Sequence, residues 1–196
     1  TSVEVKLGVK ATPKSVFEFN PEAVIVATGS TPFIPPIPGA DAESVISDWD
    51  VLLENAPVGQ NVIIVDEDHH IRGSSVAEFL ADRGKKVQVL TGTYYPGMDV
   101  ELKTWRFLYQ RLLEKGVVIT PHTRVKEIQE TAIIVYHTIT NAEMVIENVD
   151  TVVLVYGGEP NNQLYRALKG KVEELYAVGD CLAPRRVEQA IYEGHK

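Results

Sequence analysis

The chain has 196 residues, 27 of them Asp or Glu against 19 Lys or Arg, which leaves a net charge of −8. With 44% hydrophobic and 23% charged side chains, it falls outside the disordered, collagen-like and coiled-coil classes and fits one domain or two small ones. Its acidic balance, with no stripe of Lys and Arg, is a poor match for nucleic acid, and its single cysteine supplies neither an intramolecular disulfide nor the several thiolates of an iron–sulfur cluster or structural zinc.

The N-terminal stretch Thr1-Ser2-Val3-Glu4-Val5-Lys6 has no charged region leading into an apolar one and no methionine. It reads as the start of an excised fragment of cytoplasmic origin. Residues 22–29 read as a buried parallel strand, continuous from Ala23 to Ala27, that ends at Gly29, where backbone can approach a ligand. This run, like Val62-Ile63-Ile64-Val65, is far short of the roughly 18 residues that span a bilayer, so no membrane partner is expected. Pro32, Pro35, Pro36 and Pro38 then crowd a short segment that can continue neither helix nor central sheet, which marks a boundary.

The middle of the chain alternates: strand 61–66, helix from about 73 to 83 stopped by Gly84, strand 86–90, helix 99–115 stopped by Gly116, strand 117–120. Leu102, Trp105, Leu108, Leu112 and Leu113 recur at three- and four-residue steps in the second helix and predict one apolar face for a sheet. Short strands at 124–128, 132–137 and 144–146 form a meander placed to cover one face of the parallel sheet. Residues 151–155 are again an apolar strand. The last segment runs from a short strand at 175–178 through Gly179-Asp180-Cys181 into an amphipathic helix from about 186 to the end. The fold class is α/β, Rossmann-like, in three layers: a parallel sheet with flanking helices and a β-meander.

The turn after Val65 carries the most information. A Rossmann phosphate loop needs G-x-G-x-x-G so that backbone can reach the pyrophosphate and helix can meet strand. Counted from the strand end, those three places hold Asp66, Asp68 and Ile71, and Glu67 adds a third carboxylate. Like charges beside a pyrophosphate cost on the order of a few kcal/mol. Residues 90–93, Leu-Thr-Gly-Thr, offer neither the acidic residue that holds an NAD ribose nor an arginine for the NADP phosphate. The loop reads as a lapsed nucleotide site. A shifted register keeps an intact site open, with Gly73 at the helix start and Arg72 aimed at a phosphate. His69-His70 beside two aspartates suggests a metal, but adjacent side chains diverge, and a hydrogen-bonded loop is the plainer reading. No nucleophile–base pair is identifiable, so no catalytic residue is assigned.

Four segments, in order, resemble the two-nucleotide-domain flavoprotein reductases: the Ala27-Thr28-Gly29-Ser30-x-Pro32 turn, the Pro36-x-Pro38-Gly39 hinge, the βαβ unit after it, and Tyr176-Ala177-Val178-Gly179-Asp180. The likeness is greatest to the C-terminal part of the long Old Yellow Enzyme-like oxidoreductases, meaning trimethylamine, dimethylamine and histamine dehydrogenases and 2,4-dienoyl-CoA reductase. Asp66-Glu67-Asp68-His69-His70, Ala77-Glu78-Phe79-Leu80-Ala81, Leu164-Tyr165 and Gly179-Asp180-Cys181-x-Ala183-Pro184-Arg185 lean toward the amine dehydrogenase branch.

That resemblance implies residues 1–57 and 148–196 as a partial FAD- or ADP-binding domain without its first βαβ, interrupted at 58–147 by a nucleotide-type domain. It implies a parent whose N-terminal barrel holds FMN and a [4Fe–4S] cluster, and a fragment that is catalytically silent alone. In it Asp180 binds a flavin ribityl hydroxyl after the close approach at Gly179, and Ala27, Thr28 and Gly29 cross beneath the dinucleotide. From the residues alone, Asp180 equally reads as the N-cap of the last helix, residues 27–29 as a tight turn, and Cys181 as a buried filler. Two further readings stand open: an intact NAD(P)H-binding domain of a flavin reductase, bound through Arg72 and Gly73, and a docking module for an electron-transfer flavoprotein. A half-domain with an open sheet edge is expected to self-associate as a homo-oligomer or swapped dimer.

Overall fold

The computed structural model describes residues 3–195; the expectations placed on residues 1, 2 and 196 lie outside the described residues. In chain order, the first elements are α1 (Pro13–Phe19), β1 (Ala23–Val26), β2 (Ser30–Pro32), β3 (Val45–Ser47) and α2 (Asp48–Leu52). Next come β4 (Asn61–Asp66), α3 (Ile71–Asp82), β5 (Lys86–Leu90), α4 (Leu102–Glu114) and β6 (Val118–Thr120). The meander is β7 (Thr123–Ile128), β8 (Ala132–His137) and β9 (Glu143–Glu147), followed by β10 (Thr151–Val155) and β11 (Gly158–Pro160). Then come α5 (Gln163–Leu168), β12 (Glu174–Ala177), a 3₁₀ turn (Gly179–Cys181) and α6 (Val187–His195).

These elements form two compact units: residues 1–31 with 158–196, and residues 32–157. The inner unit is wider than the expected 58–147 insertion. The reason is hydrogen bonding: β3 and β10 join its parallel sheet, whose order is β3-β10-β4-β5-β6.

The inner unit has three layers, and the alternation of β4 explains them. Val62 and Ile64 face Val76, Ala77 and Leu80 of α3 and Leu108 and Leu112 of α4 in one buried cluster. Ile63 and Val65 face the other way, against Val125, Ile128, Ile133 and Val135 of the meander. Every residue of β10 is buried, as a strand covered on both faces requires.

Two expectations need correction. In α4 only Leu108 and Leu112 are buried, while Leu102 is 67% and Leu113 52% exposed. The packed stripe is narrower than the periodicity, and Trp105 packs at a tilt between Tyr95 and Tyr109, with ring centroids 4.4 and 4.6 Å away. The strand expected at 22–29 is shorter and only half-covered. Among the described residues β1 pairs with β12 alone, so Val24 and Val26 pack with Leu175 and Leu168 while Ile25 stays 68% exposed.

In the outer unit the two parallel strands run Val24 beside Leu175 and Val26 beside Ala177. Both therefore end at the same edge, the carboxyl edge where α/β sheets bind ligands. Cys181 is fully buried, and its Sγ donates to the Val26 carbonyl at 2.9 Å, which fits a packing role.

Candidate nucleotide sites

In the inner unit, β4 ends at Asp66 and α3 begins at Ile71, with His70 as N-cap and His69 in the left-handed region at φ 60°. Asp66 is fully buried, and among the described residues neither carboxylate oxygen makes a well-formed hydrogen bond. Burial pushes its pKa up to about 7, aided by the nearby charges of Asp68 and Glu67, while the backbone N–H groups of Asp68 and His69 pull it down. A Cβ at Gly73 would lie 2.5 Å from the Asp66 Cγ. Gly73 thus lets helix meet strand, the role of the third glycine in a phosphate loop, but seven residues after the strand end rather than five. The carboxylate of Asp66 stands under the helix start, where a dinucleotide site keeps space for a phosphate.

The rest of the turn is closed by ion pairs. Arg72 directs Nη2 and Nε to one oxygen of Asp48, at 2.7 and 3.0 Å, and Nη1 to Asp68 at 3.3 Å. Asp48 is buried, and desolvation raises its pKa against the pull of Arg72. Glu67 accepts from Arg124 Nε and Nη2 at 3.1 and 2.9 Å. This pair spans the end of β5: a Cβ at Gly92 would come within 2.6 Å of Arg124 Nε and 2.9 Å of Glu67 Oε1. Tyr156, half-buried nearby, has its hydroxyl pKa pushed up to about 12, first by burial and then by the charge of Glu67.

The outer unit differs. Gly29 is at φ 70° with nothing within 4 Å of a Cβ position, and Thr28 donates its hydroxyl to the Asn161 carbonyl at 2.5 Å. Among the described residues Asp180 accepts long bonds, from the Ser30 hydroxyl at 3.4 Å and the Arg185 backbone N–H at 3.3 Å. Its carboxylate therefore keeps capacity for further donors. Gly179, at φ 67°, holds the left-handed turn that a side chain would strain.

Ala27, Thr28 and Gly29 thus share one strand edge with Gly179 and Asp180, whereas Arg72 and Gly73 belong to the other unit. Sequence reasoning missed Arg124, Asp48 and Glu193, and quoted Arg185 only as part of a family motif, without a role. Arg124 lies 57 positions from Glu67, and no local pattern joins them. Among the described residues no group of three His, Cys, Asp or Glu could hold a metal ion, and no helix is long and apolar enough to cross a membrane.

The family described as pyridine nucleotide-disulphide oxidoreductase matches residues 3–194. The chain belongs to this family. N,N-dimethylglycine/sarcosine dehydrogenase of Chromohalobacter salexigens is 31% identical over 231 residues, covering 97% of this chain and 33% of its own length. Among solved structures, 6-hydroxypseudooxynicotine amine oxidase of Pseudomonas geniculata N1 superposes with a TM-score of 0.89 at 29% identity, covering 96% of this chain and 30% of that one. A 2-naphthoyl-CoA reductase superposes at 0.90 with 26% identity, covering 98% and 29%. The chain thus spans about a third of the length of the relatives it matches. They include amine-oxidising and acyl-CoA-reducing enzymes, the two branches that the sequence resembles.

Proposed function

We propose that the chain is the adenine-nucleotide-binding and electron-transfer module of a flavin-dependent oxidoreductase of the amine dehydrogenase or enoate reductase type. The outer unit takes FAD or ADP, and the inner unit keeps a nucleotide fold whose own side chains have replaced NAD(P)H. One observation carries this reading: the two close-approach positions of the inner site, Gly73 and Gly92, are filled by Asp66 and by the Glu67–Arg124 pair, while Gly29 faces open space.

Residues 27–29 would lie under a dinucleotide, and Asp180 would accept from ribityl hydroxyls. FAD bound there would supply one- and two-electron redox chemistry. The substrate reaction would belong to FMN in an N-terminal barrel with a [4Fe–4S] cluster, and the module alone would be catalytically silent. An electron-transfer flavoprotein is the redox partner this reading favours. Self-association through the uncovered face of the β1–β12 sheet is its expectation for the isolated chain, supported by the exposure of the paired residues Ile25 and Tyr176, at 68% and 52%. Isothermal titration with FAD, ADP and NADPH tests the reading: saturable FAD or ADP binding with no NADPH binding is expected, and tight NADPH binding overturns it.

A further inference from the structure

The Gly179–Asp180 turn is gripped from the far end of α6. Glu193, fourteen positions on, accepts from the Gly179 backbone N–H at 2.8 Å through Oε2. Its other oxygen, Oε1, pairs with Arg185 Nη2. Arg185 closes the loop: its Nε donates to the Ala183 carbonyl at 3.1 Å and its backbone N–H to Asp180 Oδ1 at 3.3 Å. Glu193 is only 15% exposed while Arg185 is 41% exposed, so the bond to the glycine amide is the sheltered part of the network. Gly179 is in the left-handed region at φ 67°, a conformation with few local constraints of its own. A charge-assisted bond to its amide is stronger than a neutral one and fixes the direction in which the chain enters Asp180.

We infer that Glu193 and Arg185 are positioning residues that orient the Asp180 carboxylate toward the ribityl hydroxyls of FAD. The inference rests on the function proposed above and adds a consequence to it. Asp180 meets the part of FAD that ADP lacks, so the grip of Glu193 matters for FAD and not for ADP. Loss of one charge-assisted bond that sets a ligand contact corresponds to a loss of affinity of about tenfold.

The test is isothermal titration of the apo form of the full-length protein that carries this chain, with FAD and with ADP, alongside E193A and E193Q. The wild type is expected to bind both. E193A is expected to weaken FAD about tenfold and to leave ADP within about twofold. Gln still accepts from Gly179 through its side-chain oxygen while losing the ion pair, so E193Q is expected to recover most of the FAD affinity. Equal weakening of FAD and ADP in E193A marks a merely structural residue and overturns the inference, as does unchanged FAD binding. If E193A does not fold, E193M, which keeps the length of the side chain but replaces the carboxylate that accepts from Gly179 with a weak acceptor, decides on the same split between FAD and ADP. A wild type that binds ADP but not FAD overturns the inference and leaves the ADP reading standing, whereas one that binds neither overturns the proposed function as well.

Discussion

Replacing Asp66 with Asn removes a charge from a fully buried position in the inner unit while nearly keeping its shape. The folded pKa stands at about 7 against an ordinary 3.8, a gap worth roughly 4 kcal/mol at about 1.4 kcal/mol per pH unit. Because the folded value is the higher one, the contribution to stability is fully present below pH 4 and is lost as pH rises through 7. Linkage puts roughly 2–3 kcal/mol of that loss between pH 5 and pH 8. D66N does not titrate, so its stability relative to wild type should rise by that amount over the same interval. Trp49 and Trp105 are the chain's two tryptophans, and both lie in the inner unit, so urea unfolding followed by tryptophan fluorescence at pH 5, 6, 7 and 8 reads this unit. Parallel curves for D66N and wild type across that range would refute the account of Asp66 as a buried, uncompensated carboxylate.

Other predictions follow from the same geometry. Gly73→Ala forces a methyl to within 2.5 Å of the Asp66 Cγ and should cost about 2–3 kcal/mol in urea unfolding, against the small gain that Gly→Ala brings in an unobstructed helix. Arg124→Ala leaves Glu67, 10% exposed, without its two guanidinium bonds; a cost of about 1–2 kcal/mol is expected, with no gain in NADPH binding because Asp66 stays in place. Ser47→Ala removes the capping box in which Ser47 accepts from the Asp50 N–H and Asp50 from the Ser47 N–H, a loss of about 1 kcal/mol by thermal unfolding. Ile25→Ser with Tyr176→Ser should shift the isolated chain toward monomer in light scattering, since both side chains are exposed on the open two-stranded sheet.

What could be read in advance followed the reach of local physics. The run Val62–Val65 and the glycine stops at Gly84 and Gly116 announce strands and helix ends from neighbouring residues alone, and the βαβαβ order stands where it was expected. The capping boxes at Thr12/Ser15 and Ser47/Asp50 were also local signals. They mark α1 and α2, short helices of seven and five residues that hydrophobic periodicity is too coarse to register. The candidate site was half legible. Missing glycines at 66, 68 and 71 mark the absence of a standard phosphate loop, and the shifted register points to Gly73 in a turn two residues longer, but not to Asp66 as the group packed beside it. The turn's partners are supplied by topology: β7 brings Arg124 over Gly92, and α2 brings Asp48 to Arg72, over separations that no spacing rule connects. In α4 the heptad-like pattern overstated burial because Leu102 and Leu113 lie beyond the edge of the buried stripe.

In the proposed reading, the inner unit's nucleotide crevice is filled by its own carboxylates and arginine. A crystal of the protein soaked in NADPH tests it most directly. Density is expected for Asp66 under the start of α3 and for the Glu67–Arg124 pair across Gly92, with no diphosphate beside them. Diphosphate oxygens bound to the backbone between Asp66 and Gly73, with Asp66 or Arg124 displaced, would contradict it.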